Sequence, residues 1–109
     1  MDLFGFLKKD EILALESKEN RKKLTSEWKK KGLSKDNFAF LTAKQYEILF
    51  GTEEKTKESL NHIEIVILSQ CDKEEADKLR NIYQKMSTSQ LLKSLRETAI
   101  AVARSRGLL

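Results

Sequence analysis

The chain has 109 residues with no proline, four glycines, one cysteine and one histidine, and 35% of its positions are charged, for a net charge of +4. That composition excludes an internal disulfide and a histidine- or cysteine-rich metal centre. It favours helix throughout, because Lys, Glu, Leu and Ala are strong helix formers and no proline interrupts them.

One hydrophobic core is what a chain of this length can enclose, so a single domain over residues 1–109 is expected. The mean hydropathy of −0.54 is low, yet Leu, Ile, Val and Phe recur at helical spacing, which marks a folded chain. Charge is unevenly spread: residues 1–31 and 87–109 are each net +3, and residues 52–86 are net −2.

The chain opens on an apolar cluster, Leu3, Phe4, Phe6 and Leu7, cut short by Lys8 and Lys9. A secretory leader needs a basic start and a longer apolar run, so export is not expected. Apolar runs such as Ile65 to Leu68 are far below the roughly 18 residues of a membrane span. With one cysteine, the chain gains nothing from an oxidising compartment, and a cytoplasmic setting is the expectation. The cluster either closes the bundle or, left exposed, offers Phe4, Phe6 and Leu7 as anchors for a partner.

Asp10 is placed to cap a helix that includes Ile12, Leu13 and Leu15. Beyond it the residues Glu16 to Lys23 carry no apolar side chain, and two readings stay open. One helix runs to Lys31 along a seam of Leu13, Ser17, Asn20, Leu24 and Trp28, or the helix breaks near Ser17, which caps a second. Gly32 and Leu33 read as its stop.

Ser34 to Leu41 reads as a loop or single turn leading to Thr42, a cap for a helix over Ala43 to Phe50. Gly51 ends that helix and Thr52 caps the next, whose face is Leu60, Ile63 and Ile67. The run Ile63 to Leu68 suits strand as well as helix, and helix is preferred because no second strand exists to pair with it.

Asp72 and Glu75 have capping-box spacing and are expected to open a helix carrying Ala76, Leu79, Ile82, Tyr83 and Met86 on one face. Ser87 and Gln90 repeat the signal for a terminal helix over roughly 88–106, rich in Leu91, Leu95, Ala99, Val102 and Ala103, with Gly107 as its stop. The expected fold is all-α, a compact bundle of about five short amphipathic helices.

No residue set assembles into a catalytic, cofactor or metal site. His62 has no partner histidine, Cys71 no local base, and the cluster Asp72, Glu74, Glu75 and Asp77 lacks the glycine and spacing of a calcium loop. Glycines at 5, 32, 51 and 107 are too dispersed to cradle a phosphate.

Two helix-turn-helix patterns are weak. The first, around Gly51, would present Glu53 and Glu54 to phosphates; the second, around Ser87, would present Ser89, Gln90, Lys93 and Arg96. Binding needs only a surface, whereas catalysis needs positioned groups. The expected function is therefore non-enzymatic: a small regulator, adaptor or inhibitor that binds another protein, with homo-oligomerisation left open. The alternative is nucleic-acid binding through Lys22, Lys23, Lys29, Lys30, Lys93, Arg96, Arg104 and Arg106, decided by whether these basic ends converge.

Overall fold

A computed structural model of the chain describes residues 9–108, with side chains from residue 11 onward. The described residues form four α-helices: α1 (Lys9–Lys30), α2 (Lys35–Phe50), α3 (His62–Arg80) and α4 (Thr88–Ser105). A short 3-10 turn, Lys57–Ser59, lies in the loop before α3, and no strand occurs among these residues. The all-α expectation holds, with four helices in place of about five.

α1 passes unbroken through its polar stretch, because the seam it turns inward is itself partly polar. Ser17 is buried, Leu24 and Trp28 are fully so, and Asn20 Nδ2 donates to Ser69 Oγ of α3 at 2.7 Å. Ser17 is therefore no cap, and Asp10 also lies inside the helix. The stop is as expected: Gly32 takes φ +97°, its N–H bonds to Lys29 O, and the Leu33 N–H reaches back to Trp28 O at 3.0 Å. This Schellman arrangement buries Leu33 on the last turn.

α2 begins a full two turns before Thr42. Ser34, extended at φ −79° and ψ 155°, holds the N-cap position, and Asn37 N–H bonds to its carbonyl at 3.0 Å. The apolar residues of Phe38 to Leu41 are thus helical, with Leu41 fully buried and Phe38 tilted against Trp28 at 5.6 Å between ring centres. Gly51 ends the helix in the left-handed conformation, φ +77°.

Thr52 caps no helix; its hydroxyl accepts the Glu54 N–H inside a loop that runs to Asn61. Asn61 is the cap of α3: its side chain accepts Glu64 N–H at 2.8 Å while Glu64 Oε1 accepts Asn61 N–H at 3.0 Å. Ile63 to Leu68 is helical, though Ile63 itself points outward, 68% exposed.

The merger of two expected helices into α3 explains the lower count. Capping-box spacing, three residues apart, also places two side chains on one face of a continuous helix. Asp72 and Glu75 are such a pair, both fully buried in mid-helix. Because α3 ends at Arg80, Ile82, Tyr83 and Met86 do not continue its face, and Tyr83 is 90% exposed. Neither helix-turn-helix pattern survives, since Glu53 opens no helix and the chain leaves α3 at Arg80, with no helix over residues 81–86.

α4 is capped as expected by Ser87 and Gln90 in a reciprocal box. Its stripe Leu91, Leu95, Ala99, Val102 and Ala103 is buried in a core shared by all four helices. α1 runs parallel to α3, Leu13 lying near Ile65 at one end and Glu27 near Ala76 at the other. α4 runs antiparallel to α3, as shown by Gln70 with Arg106 and Glu75 with Ser94 and Thr98. At the far end Met86 N–H donates to Lys31 O at 3.1 Å, pinning the α3–α4 loop to the α1–α2 turn.

Leu95→Ala is expected to cost about 2–5 kcal/mol, the range for deleting a buried leucine. Denaturant unfolding followed by circular dichroism measures it, and an unchanged midpoint would remove α4 from the centre of the core.

Candidate functional site

Three polar residues inside the core were not singled out by the sequence reading as a group. Arg21 of α1 faces Asp72 of α3, Nε to Oδ2 3.0 Å. Arg21 Nη2 donates to Gln45 Oε1 at 2.6 Å and Nη1 to Thr42 Oγ1 at 3.2 Å, both on α2. Gln45 Nε2 closes the triangle by donating to Asp72 Oδ1 at 2.8 Å. One guanidinium, one amide and one carboxylate thereby join three helices.

The signal for this network was present in the spacing. Gln45 sits between Leu41 and Leu49, and Asp72 between Leu68 and Ala76, each a polar residue on an apolar stripe at four-residue intervals. Asp72 Oδ2 remains short of satisfaction: it lies at ion-pair distance from Arg21 yet takes no well-directed hydrogen bond, although it is fully buried. Burial lifts the Asp72 carboxyl above its ordinary value of 3.8, against the pull of Arg21 and Gln45.

Arg21, Thr42 and Asp72 of this network line an open cleft of about 440 Å³ between α1, α2, α3 and the 52–61 loop. Phe38, Ala39, Ala43, Tyr46 and Leu68 supply apolar wall, and Lys55, Thr56 and Lys57 stand on the loop side. A second polar cluster ties α3 to α4. Glu75 accepts Ser94 Oγ at 2.7 Å and Thr98 Oγ1 at 2.6 Å, with Lys78 Nζ 3.9 Å away and also donating to Ser94 O. Burial raises the Glu75 pKa above its ordinary 4.5, the two hydroxyls and Lys78 opposing it.

Cys71 is buried beside Gln45, whose Nε2 lies 3.3 Å from its Sγ, and burial pushes the thiol up to about 12. It carries no thiolate near neutral pH. His62 is exposed in the first turn of α3.

The basic candidates fall on different parts of the surface. Lys22, Lys23 and Lys30 line a groove of about 340 Å³ with Arg80 of α3, shared with Glu19, Glu27 and Asp77. Lys29 is exposed at the end of α1. Lys93, Arg96, Arg104 and Arg106 are exposed on or just beyond α4, which packs on α2 and α3, and Arg106 Nε donates to Gln70 at 2.8 Å. The α1 groove thus gains Arg80, a cation not among the candidates. Phe4, Phe6 and Leu7 lie outside the described residues.

Comparison with protein families, with curated proteins and with solved structures finds no match. The chemistry of the site has to be read from its own side chains.

Two expectations follow from the polar clusters. Arg21→Ala leaves Asp72 buried without its counter-ion and is expected to cost about 3–5 kcal/mol, whereas the paired Arg21→Met, Asp72→Leu change recovers most of that loss. A double variant no more stable than the single one in denaturant unfolding would contradict this. For Glu75 the folded pKa is raised, so its contribution favours folding most below 4.5 and declines as pH rises through the folded value. The stability difference between the parent and Glu75→Gln should therefore shift in the parent's favour on acidification from neutrality; a difference independent of pH would contradict the assignment.

Proposed function

We propose that the chain acts by stoichiometric binding of another protein, as a small non-enzymatic regulator, adaptor or inhibitor. The observation that carries this reading is an opening in the apolar surface at the shared N-terminal end of α1 and α3. Leu13, Ala14 and Ile65 line a dent there with His62. In the same first turn of α3 Ile63 is 68% exposed, and Leu15 of α1 is 54% exposed. Large apolar side chains left in water on adjacent helices are the usual material of protein interfaces.

The candidate anchors Phe4, Phe6 and Leu7 stand a few residues before Leu13 in the sequence, and we assign them to the same partner as the dent. An aromatic anchor contributes through buried area, and a polar surround keeps water from it. A cytoplasmic setting belongs to the same reading. Among the described residues no helix is long and apolar enough to cross a membrane.

The second reading, nucleic-acid binding, is favoured by the groove that brings Lys22, Lys23 and Lys30 to Arg80. Its weakness is local charge. Glu27 lies 3.3 and 3.5 Å from Lys30 and Lys31, and Asp77 pairs with Arg80. With Glu19, these carboxylates leave the cations Lys22, Lys23, Lys30 and Arg80 a single net positive charge, too little for a polyanion. A phosphate backbone is held by uncompensated cations.

Affinity capture of the tagged chain from native lysate, with and without nuclease, separates the two. The expected result is a nuclease-resistant protein partner whose binding is weakened by Ile63→Glu and loses more than about 1 kcal/mol with Phe4→Ala or Phe6→Ala. Nuclease-sensitive capture, steep loss with salt and dependence on Lys22, Lys23 and Lys30 with indifference to both phenylalanines would establish the nucleic-acid reading instead.

A further inference from the structure

We propose that the cleft between α1, α2, α3 and the 52–61 loop is a binding site for a small apolar monoanion: a carboxylate carried on an aromatic or short aliphatic body. Size is the first argument. At about 440 Å³ the cleft falls in the range of small-ligand sites, typically about 300–1,000 Å³, and has their composition, an apolar wall with a few convergent polar groups. Ala39 and Ala43, one turn apart on α2, leave space between Phe38 and Tyr46 that a larger side chain would fill.

Charge is the second argument, and it selects the sign. Among the ionised groups that line the cleft, Glu53 is engaged by Lys44 at 2.7 Å and Lys55 by Glu64 at 2.5 Å. Asp72 is engaged by Arg21 and Gln45. Lys57 has no carboxylate at ion-pair distance among the described residues and is exposed. The lining therefore carries one uncompensated positive charge.

Hydrogen bonding is the third argument. Each terminal nitrogen of a guanidinium has two N–H groups, and Arg21 commits one from Nη1 to Thr42 and one from Nη2 to Gln45. One donor on each remains, and the side chain, 22% exposed, is among those that line the cleft. A carboxylate accepts such a pair of donors well, and the fixed orientation of Arg21 by three neighbours removes the entropy cost of positioning it. Lys57 and Arg21 both line the cleft, Lys57 from the loop and Arg21 from α1. Glu53 and Asp72 oppose a second negative charge on the ligand, and Arg21 with Lys57 opposes a positive one.

The test is a titration of the ¹⁵N-labelled chain with 3-phenylpropionate, followed by amide chemical shifts, beside the neutral 3-phenylpropan-1-ol. Saturable shifts confined to Ala39, Ala43, Thr56 and their neighbours are expected with the acid, and about tenfold weaker binding with the alcohol, the size of one charge-assisted hydrogen bond. Lys57→Gln, on an exposed loop where folding is not at stake, should weaken the acid several-fold and leave the alcohol unchanged; Lys22→Gln should affect neither. Equal affinity for acid and alcohol, shifts centred on the Lys22–Lys30 groove, or no saturable shift up to the solubility of the probe would each overturn the proposal.

Discussion

The buried pairing of Arg21 with Asp72, bridged by Gln45, is the constraint on which the arrangement of the first three helices rests. Each partner comes from a different helix, so the three must meet in one register for any of them to be satisfied. Taking a guanidinium and a carboxylate out of water is costly, and their mutual attraction recovers it only with good geometry and further hydrogen bonds. Gln45 and Thr42 supply those bonds. The consequence is specificity more than stability, because an apolar substitute for the trio could slide by a turn and this one cannot.

α3 carries that logic to the fourth helix. Asp72 and Glu75 are three residues apart, close enough to be neighbours on the helix surface, yet they serve different partners: Asp72 meets α1 and α2, and Glu75 meets Ser94 and Thr98 of α4. Glu75 has hydroxyl donors but only a distant cation, Lys78 at 3.9 Å. Asp72 by contrast has its counter-ion at 3.0 Å. Burial raises the pKa of both carboxyls, so the contacts α3 makes on either side both respond to protonation, one through an ion pair and one through hydroxyl donors.

What the sequence displayed and what it concealed divide along a physical line. Helix stops at Gly32, Gly51 and Gly107 were legible, because a left-handed residue is a local requirement that glycine meets at little cost. The Ser87 and Gln90 box was legible for the same reason, being closed within four residues. Asp72 and Glu75 show the same spacing with another meaning, and only the burial of that face by α1, α2 and α4 tells them apart. The start of α2 was missed because Ser34 makes no side-chain capping bond, leaving a weak local mark. The cleft could not be foreseen at all. It depends on a loop, residues 52–61, folding beside residues of α1 and α2 that are far from it in the chain.

Cleft and network are linked, since Arg21 and Asp72 belong to both. An anion held by the spare donors of Arg21 adds negative charge beside Asp72, which on its own weakens the hold of Arg21 on that carboxylate. The positive charge of Lys57, on the loop side of the same cleft, offsets this effect. If the ligand is bound only when α1, α2, α3 and the loop are assembled, its binding free energy adds to that of folding, as for any ligand that binds the native state alone. The imperfectly satisfied Asp72 Oδ2 is then the point where the two requirements meet, because Asp72 and its counter-ion Arg21 both line the cleft while that oxygen lacks a directed hydrogen bond.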